Sequence, residues 1–206
     1  MNEDGATRVA SSFTDEVAGR FGVLPSFFCT ASAAPGLIQE LWSFAKSAYL
    51  DSQLPSLFKE RLFVHLSRFC EVRYCIVRHV GFLIGKGWPA GDLAAVPETI
   101  EAAITLLSRP VPDAAALGAA LSRLEGCQEP IDIPTPRTQE EADLFDALTI
   151  MFVEPGQSAR ARDAVRRAVG EAHFEILTAY LAFVRTAHYW TETHPELAYE
   201  PDMLAV

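Results

Sequence analysis

From Leu54 to Gly85 the chain reads LPSLFKERLFVHLSRFCEVRYCIVRHVGFLIG. This stretch limits the fold more than any other. Leu57, Phe58, Leu62, Val64, Leu66 and Phe69 recur at helical spacing and leave no side of the helix fully polar, so it belongs in the middle of a core. Val72, Cys75, Ile76, His79, Val80 and Leu83 form a second apolar stripe. Pro55 can open the first helix with Leu54 packed before it, and Gly85, Gly87 and Pro89 close the second.

The flanks carry the same period. Pro35 opens a helix whose apolar positions run from Leu37 to Leu50. Phe27 and Phe28 follow a turn at Leu24-Pro25-Ser26 and should be buried. Short helices are predicted over 97–107 and from an Asp113 cap to about Leu124. Thr138 with Glu141 has the spacing of a capping box, opening a helix to about Phe152. Ser158 can cap the next, Gly170 is a weak point in it, and a buried stripe runs from Ile176 to His188. Thr7–Arg20 is compatible with a helix and 196–206 with an irregular tail. Strand-like alternation is short and has no hairpin turn signal. The expectation is a compact all-α bundle, with 1–206 as one domain or as two packed halves divided near 126–138, where Pro130, Pro134 and Pro136 cluster.

The formal net charge of −10 over 206 residues is the wrong sign for gripping phosphates, so no nucleic-acid partner is expected. Arg160, Arg162, Arg166 and Arg167 read as a solvated helix face. The polar N-terminus carries no apolar signal core, and Ile176–Val184 falls short of the roughly 18 residues that span a bilayer. No membrane partner and a cytoplasmic location are therefore expected. There the cysteines at 29, 70, 75 and 127 stay thiols rather than forming a disulfide framework.

Cys75 and His79 sit one helical turn apart. A neutral imidazole beside a thiol can take its proton and leave a nucleophilic thiolate, which a helix start also favours. Glu60, on the preceding helix, could orient the ring or accept its proton if the two helices pack face to face. The competing reading is plain packing: Cys75 and His79 in the core, and Glu60 on a solvated face of Phe58-Lys59-Glu60-Arg61. Glu60, His65, Cys75 and His79 lack the paired spacing of a metal site. Neither a metal nor a cofactor is expected.

Leu54-Pro55, Glu60, Tyr74-Cys75 and His79 together resemble the alkylhydroperoxidase D and carboxymuconolactone decarboxylase family. Its peroxidase motif is a Glu, eleven residues, Cys-x-x-Cys, three residues and a His. Glu60, Cys75 and His79 fall on the Glu, the second Cys and the His, and Phe21-Gly22-Val23-Leu24-Pro25 resembles the lead-in of peroxidase-related members. The resemblance covers 20–85. It implies an AhpD-like all-α fold, assembly of copies into a trimer or hexamer, and a thiol-dependent peroxidase-like oxidoreductase, an antioxidant enzyme fed by an external thiol donor. Cys75, His79 and Glu60 would be its catalytic residues.

The chain departs from the motif at Val72, which stands where the resolving cysteine belongs. Cys70 is the nearest substitute. On a continuous helix its Cα would lie roughly 8 Å from that of Cys75, beyond disulfide reach, so only a helix break would let the two meet. Cys29, Cys127 or an external thiol could resolve a sulfenic acid instead. Two alternatives remain beside the peroxidase. One is a non-catalytic ligand-binding or sensory oligomer. The other is a decarboxylase- or isomerase-type enzyme with His79 as base, to whose pocket His188, Trp190 and His194 could contribute.

Overall fold

The structure is a computed structural model that describes residues 13–127, 130–131, 133, 138–156, 158–197 and 200. Thr7–Ser12 and much of 126–138 and of the C-terminal tail therefore lie outside the described residues, and the helix expected from Thr7 can be followed only from 13. Helix α1 spans 13–21. It is followed by α2 (Pro35–Ala45), α3 (Ser56–Phe69), α4 (Arg73–Leu83), α5 (Ile100–Ser108), α6 (Ala114–Glu125), α7 (Gln139–Val153) and α8 (Ala159–Glu192). Short 3₁₀ turns lie at Ser26–Cys29 and Pro89–Gly91. No strand occurs among the described residues. The protein is all-α, as its hydrophobic period predicts.

Helix α3 lies at the centre. It packs on α4, α5, α7 and the turn at Pro89–Gly91, and every residue from Phe58 to Ser67 is buried. The hydrophobic core around it draws side chains from α1, α2, α4, α6, α7 and α8. Phe27 and Phe28 are buried as expected.

A central helix must satisfy its polar residues internally. The Phe-Lys-Glu-Arg run does so, and the solvated-face reading of it fails. Lys59 Nζ donates to the carbonyls of Tyr49 at 2.6 Å and Leu50 at 3.1 Å, closing the end of the preceding helix where carbonyls are left over. Arg61 forks onto Glu141, with bonds of 3.0 and 2.7 Å, and reaches Glu98 at 2.8 Å. The Thr138 hydroxyl accepts the Glu141 N–H at 3.2 Å, so the predicted cap at the head of α7 is made. The Asp113 carboxylate likewise accepts the Ala116 N–H at 2.8 Å. Ser158 caps nothing with its side chain. Its hydroxyl donates to the Pro155 carbonyl and accepts from Arg162. The basic cluster is a surface face paired locally, Arg160 with Glu125 and Arg166 with Asp163 and Glu171.

Two local departures from regular helix position the site. Helix α2 runs on into a π-helical turn at Lys46–Leu50, whose extra residue per turn shifts the register by which Tyr49 meets Glu60 of α3. Helices α3 and α4 are separated by Cys70-Glu71-Val72. Glu71 is left-handed at φ 60°, the Glu71 N–H donates to Arg68 O and the Val72 N–H to Ser67 O. That is a Schellman end with an apolar residue folded back beneath it. Val72, 5% exposed, is that apolar residue. The helix break required for Cys70 to approach Cys75 therefore exists, yet all four cysteines are free thiols.

Candidate functional site

The turn at 70–72 folds α4 back along α3, which brings Glu60 opposite His79. Their side chains meet at 2.6 Å, Glu60 Oε2 to His79 Nδ1. The Glu60 side chain is fully buried. Its other oxygen accepts the Tyr49 hydroxyl and the Ala90 N–H, the latter at 2.6 Å. Ala90 holds a left-handed backbone, φ 45°, to aim that N–H. An oxygen pair surrounded by donors acts as an anionic acceptor, so His79 donates from Nδ1 and carries its basic lone pair on Nε2. The His79 ring is fixed further by Phe63, stacked at 3.5 Å between centroids. This is a histidine whose tautomer and orientation are both set by its neighbours.

Cys75 does not complete a hydrogen-bonded triad. Its Sγ lies 3.8 Å from Thr191 Oγ1 on α8, and no hydrogen bond joins it to His79 among the described residues. Spacing one turn apart brought the two to the same wall without a hydrogen bond between them. Burial pushes the Cys75 thiol up to about 12, against a smaller lowering by Thr191. Desolvation outweighs the benefit of a place near the start of α4.

Cys75 and His79 nevertheless border one small cavity, of about 40 Å³, lined also by Phe21, Phe28, Phe82 and Phe183. A void of this size holds one to a few water-sized molecules. Tyr74 and Arg78 also reach it. The larger cavity, about 630 Å³, lies across α3 between α5 and α7. Its charged walls are already committed: Arg61 to Glu98 and Glu141, and Arg109 to Asp146. The smaller cavity is the one bordered by a carboxylate-held histidine and a thiol.

The other sequence candidates lie elsewhere. His65 faces α7, with Nε2 at 2.9 Å from Thr149 Oγ1, and burial with Arg109 and Arg68 nearby lowers it to about 3. No hydrogen bond or ion pair joins it to Glu60 or His79 among the described residues. Among the described residues no three His, Cys, Asp or Glu side chains converge as metal ligands would. His188 bonds Ser67 at 2.8 Å. Trp190 donates to Thr30 at 2.9 Å, and His194 stacks on Trp190. None of His188, Trp190 and His194 lines the small cavity. Cys29 is exposed, and Cys70 and Cys127 are half-buried.

Several residues of the site are silent in the sequence. Tyr49 reads as one more apolar position of a helical stripe, and Thr191 as part of a helix end. Glu200 lies in a stretch with no periodic signal, yet it is buried against Tyr74 and Ser26.

No family model matches the chain, and neither a curated protein nor a solved structure does.

Proposed function

We propose that the protein is a thiol-dependent peroxidase of the alkylhydroperoxidase D type, with Cys75 as nucleophile, His79 as base and Glu60 as the group that orients the base. The observation that carries this reading is the shared cavity, peroxide-sized and bordered by both Cys75 and a histidine held by a buried carboxylate. The register of Glu60, Cys75 and His79 with that family's motif supports it.

The thiol rests protonated. When a peroxide enters between them, His79 Nε2 takes the Cys75 proton through the peroxide itself. The sulfur attacks the terminal oxygen, an S–O bond forms as the O–O bond breaks, and the leaving oxygen takes the proton back from the imidazolium. The products are a Cys75 sulfenic acid and water, or an alcohol. An external thiol condenses with the sulfenic acid and releases water. A second external thiol then frees Cys75 as the external disulfide leaves, so two thiols supply the two electrons. Val72 is buried as the foot of the α3 turn, so no thiol stands at the usual resolving position. The same reading places the enzyme in the cytoplasm as a trimer or hexamer. Exposed Leu93, Val96, Ile100, Ile104, Leu107 and Val111 support contact between copies.

The test is peroxide-dependent oxidation of a small thiol such as dithiothreitol. Cys75→Ser should abolish turnover, and His79→Ala should slow it by about 10²–10⁴-fold, the range for a general base. Unchanged turnover in Cys75→Ser would end the proposal. A second reading, base catalysis by His79 on a small carboxylate, is favoured by the Thr191 contact and raised pKa of Cys75. It predicts the reverse dissociation: Cys75→Ala tolerated and His79→Ala inactive. Ligand binding without turnover in every variant would identify a binding module instead.

A further inference from the structure

Helix α8 is broken at Gly170, whose φ 77° and ψ 164° are not helical. On an unbroken helix Arg162 and Arg185 would stand roughly 35 Å apart. With the break, both line one cavity of about 260 Å³ at the end of α7. Its apolar floor is Met151 and Phe152 of α7 with Leu181 and Ala182 of α8, and among the described residues no Asp or Glu lines it. It shares no lining residue with the cavity beside His79.

The charge in this cavity is unbalanced. The chain carries a formal net charge of −10, and arginines elsewhere sit against carboxylates: Arg109 on Asp146, Arg123 on Asp143, Arg160 on Glu125. Arg162 and Arg185 form no ion pair among the described residues. Arg162 Nη1 donates to the Pro155 carbonyl at 2.7 Å and to the Ser158 hydroxyl at 3.1 Å. Arg185 Nη1 donates to the Phe152 carbonyl at 2.7 Å, with its guanidinium 6.0 Å from the centre of that ring. These bonds fix each head through one nitrogen. A guanidinium has five N–H donors, and its Nε and Nη2 edge takes a carboxylate as a fork. In both arginines that edge makes no hydrogen bond among the described residues. Helix α8 also starts here, at Ser158, with no side-chain cap, and its positive end adds to the same field. Tying down the loop after α7 accounts for one nitrogen of each arginine and leaves the two fork edges and the apolar floor unexplained.

We infer that this cavity is a binding site for a free medium-chain monocarboxylate, its head held by Arg162 and Arg185 and its chain laid on Met151, Phe152 and Leu181. The volume of about 260 Å³ falls just under the roughly 300–1,000 Å³ of sites for drug-sized ligands, which suits a chain of about eight carbons. The site stands on its own geometry and does not depend on Cys75 being a peroxidatic thiol.

The experiment is calorimetric titration of the full chain with octanoate and two controls: 1-octanol, which keeps the chain without the charge, and acetate, which keeps the head without the chain. Octanoate should bind saturably and at least about ten-fold tighter than either control. Arg162→Gln and Arg185→Gln keep a donor for the Pro155 and Phe152 carbonyls while losing the charge. Each should weaken octanoate by about ten-fold or more, as loss of a charged hydrogen bond does, and the two together should abolish saturable binding. Ala182→Phe, at an exposed helical position, fills the cavity and leaves both arginine charges in place. It should weaken octanoate by about ten-fold as well, and it carries the test if the arginine variants fail to fold. No saturable binding of octanoate to the native chain, 1-octanol binding as tightly as octanoate, or unchanged affinity in these variants would each overturn the site. None of these readings requires turnover, so they stand apart from the peroxidase test.

Discussion

Tyr49→Phe deletes one oxygen from the centre of the protein and leaves the ring that carries it. The ring stacks on Phe183 and contacts Phe21 and Phe63, so packing is kept and the loss is the hydrogen bond to Glu60. Glu60 is fully buried and would retain the Ala90 N–H and His79. A hydrogen bond to a buried charged group is worth about 1.5–3 kcal/mol. For a chain of this length each kcal/mol moves the melting temperature by roughly 2–4 °C, so a fall of about 3–12 °C is expected. Glu60→Gln in the same assay completes a double-mutant cycle. With a neutral partner the Tyr49 bond drops to about 0.5–1.5 kcal/mol, so the two changes should couple by about 1 kcal/mol or more. Urea unfolding followed by circular dichroism reads all four corners. A coupling indistinguishable from zero, with unchanged denaturant slopes, would refute the claim that Tyr49 acts through the Glu60 carboxylate.

Acid should destabilise the fold before most carboxylates titrate. His65 and His188 are both lowered to about 3, chiefly by burial. The unfolded chain therefore takes up protons below the ordinary histidine value while the folded one does not. Stability is full above about pH 6.5 and falls as pH drops, by up to about 1.4 kcal/mol per pH unit for each histidine. Denaturant titrations from pH 7 to 5 should lose about half of that slope in His65→Gln, and an unchanged slope would contradict the assignment. Iodoacetamide at pH 8 should label exposed Cys29 first and Cys75 last, more slowly by about 10²-fold or more because thiolate is the reactive form. Peptide mass mapping of timed samples reads the order, and early labelling of Cys75 would contradict its burial. Gly87→Ala should cost about 1–3 kcal/mol in backbone strain alone. Gly87 has φ +109°, and an added Cβ would lie 2.7 Å from the Phe82 ring and 2.8 Å from Phe21 O. A melting temperature equal to that of the native chain would refute this.

The all-α class and most helix positions were legible because each depends on local rules: the 3.6-residue period, proline at helix starts, caps at Asp113 and Thr138. The place of α3 in the middle was legible too, since a helix apolar on several sides has nowhere else to go. Even the interruption at Gly170 could be read, and its backbone at φ 77°, ψ 164° is one that only glycine adopts readily. Cys75, His79 and Glu60 could be named from their spacing, and the partnership of Glu60 with His79 could be raised as a possibility.

What spacing could not decide was which of them touch. The turn at Cys70-Glu71-Val72 sets how α4 lies on α3, and that geometry gives His79 to Glu60 and leaves Cys75 against Thr191, over a hundred residues away in sequence. The fate of the Lys59-Glu60-Arg61 charges was equally hidden. Solvent and buried partners are indistinguishable in a charged run, and the partners here come from the π-helical turn, from α4, from the turn at Ala90, from Glu98 ahead of α5 and from α7. Burial sets the protonation of Cys75, and burial belongs to the assembled core. Glu200 is the extreme case: no local pattern marks a tail residue that donors on two distant segments will enclose. The sequence by itself determined the helices and the reactive residue types. Only the tertiary structure decided their pairings, because hydrogen bonds and desolvation act over a few ångströms in space and take no account of distance along the chain.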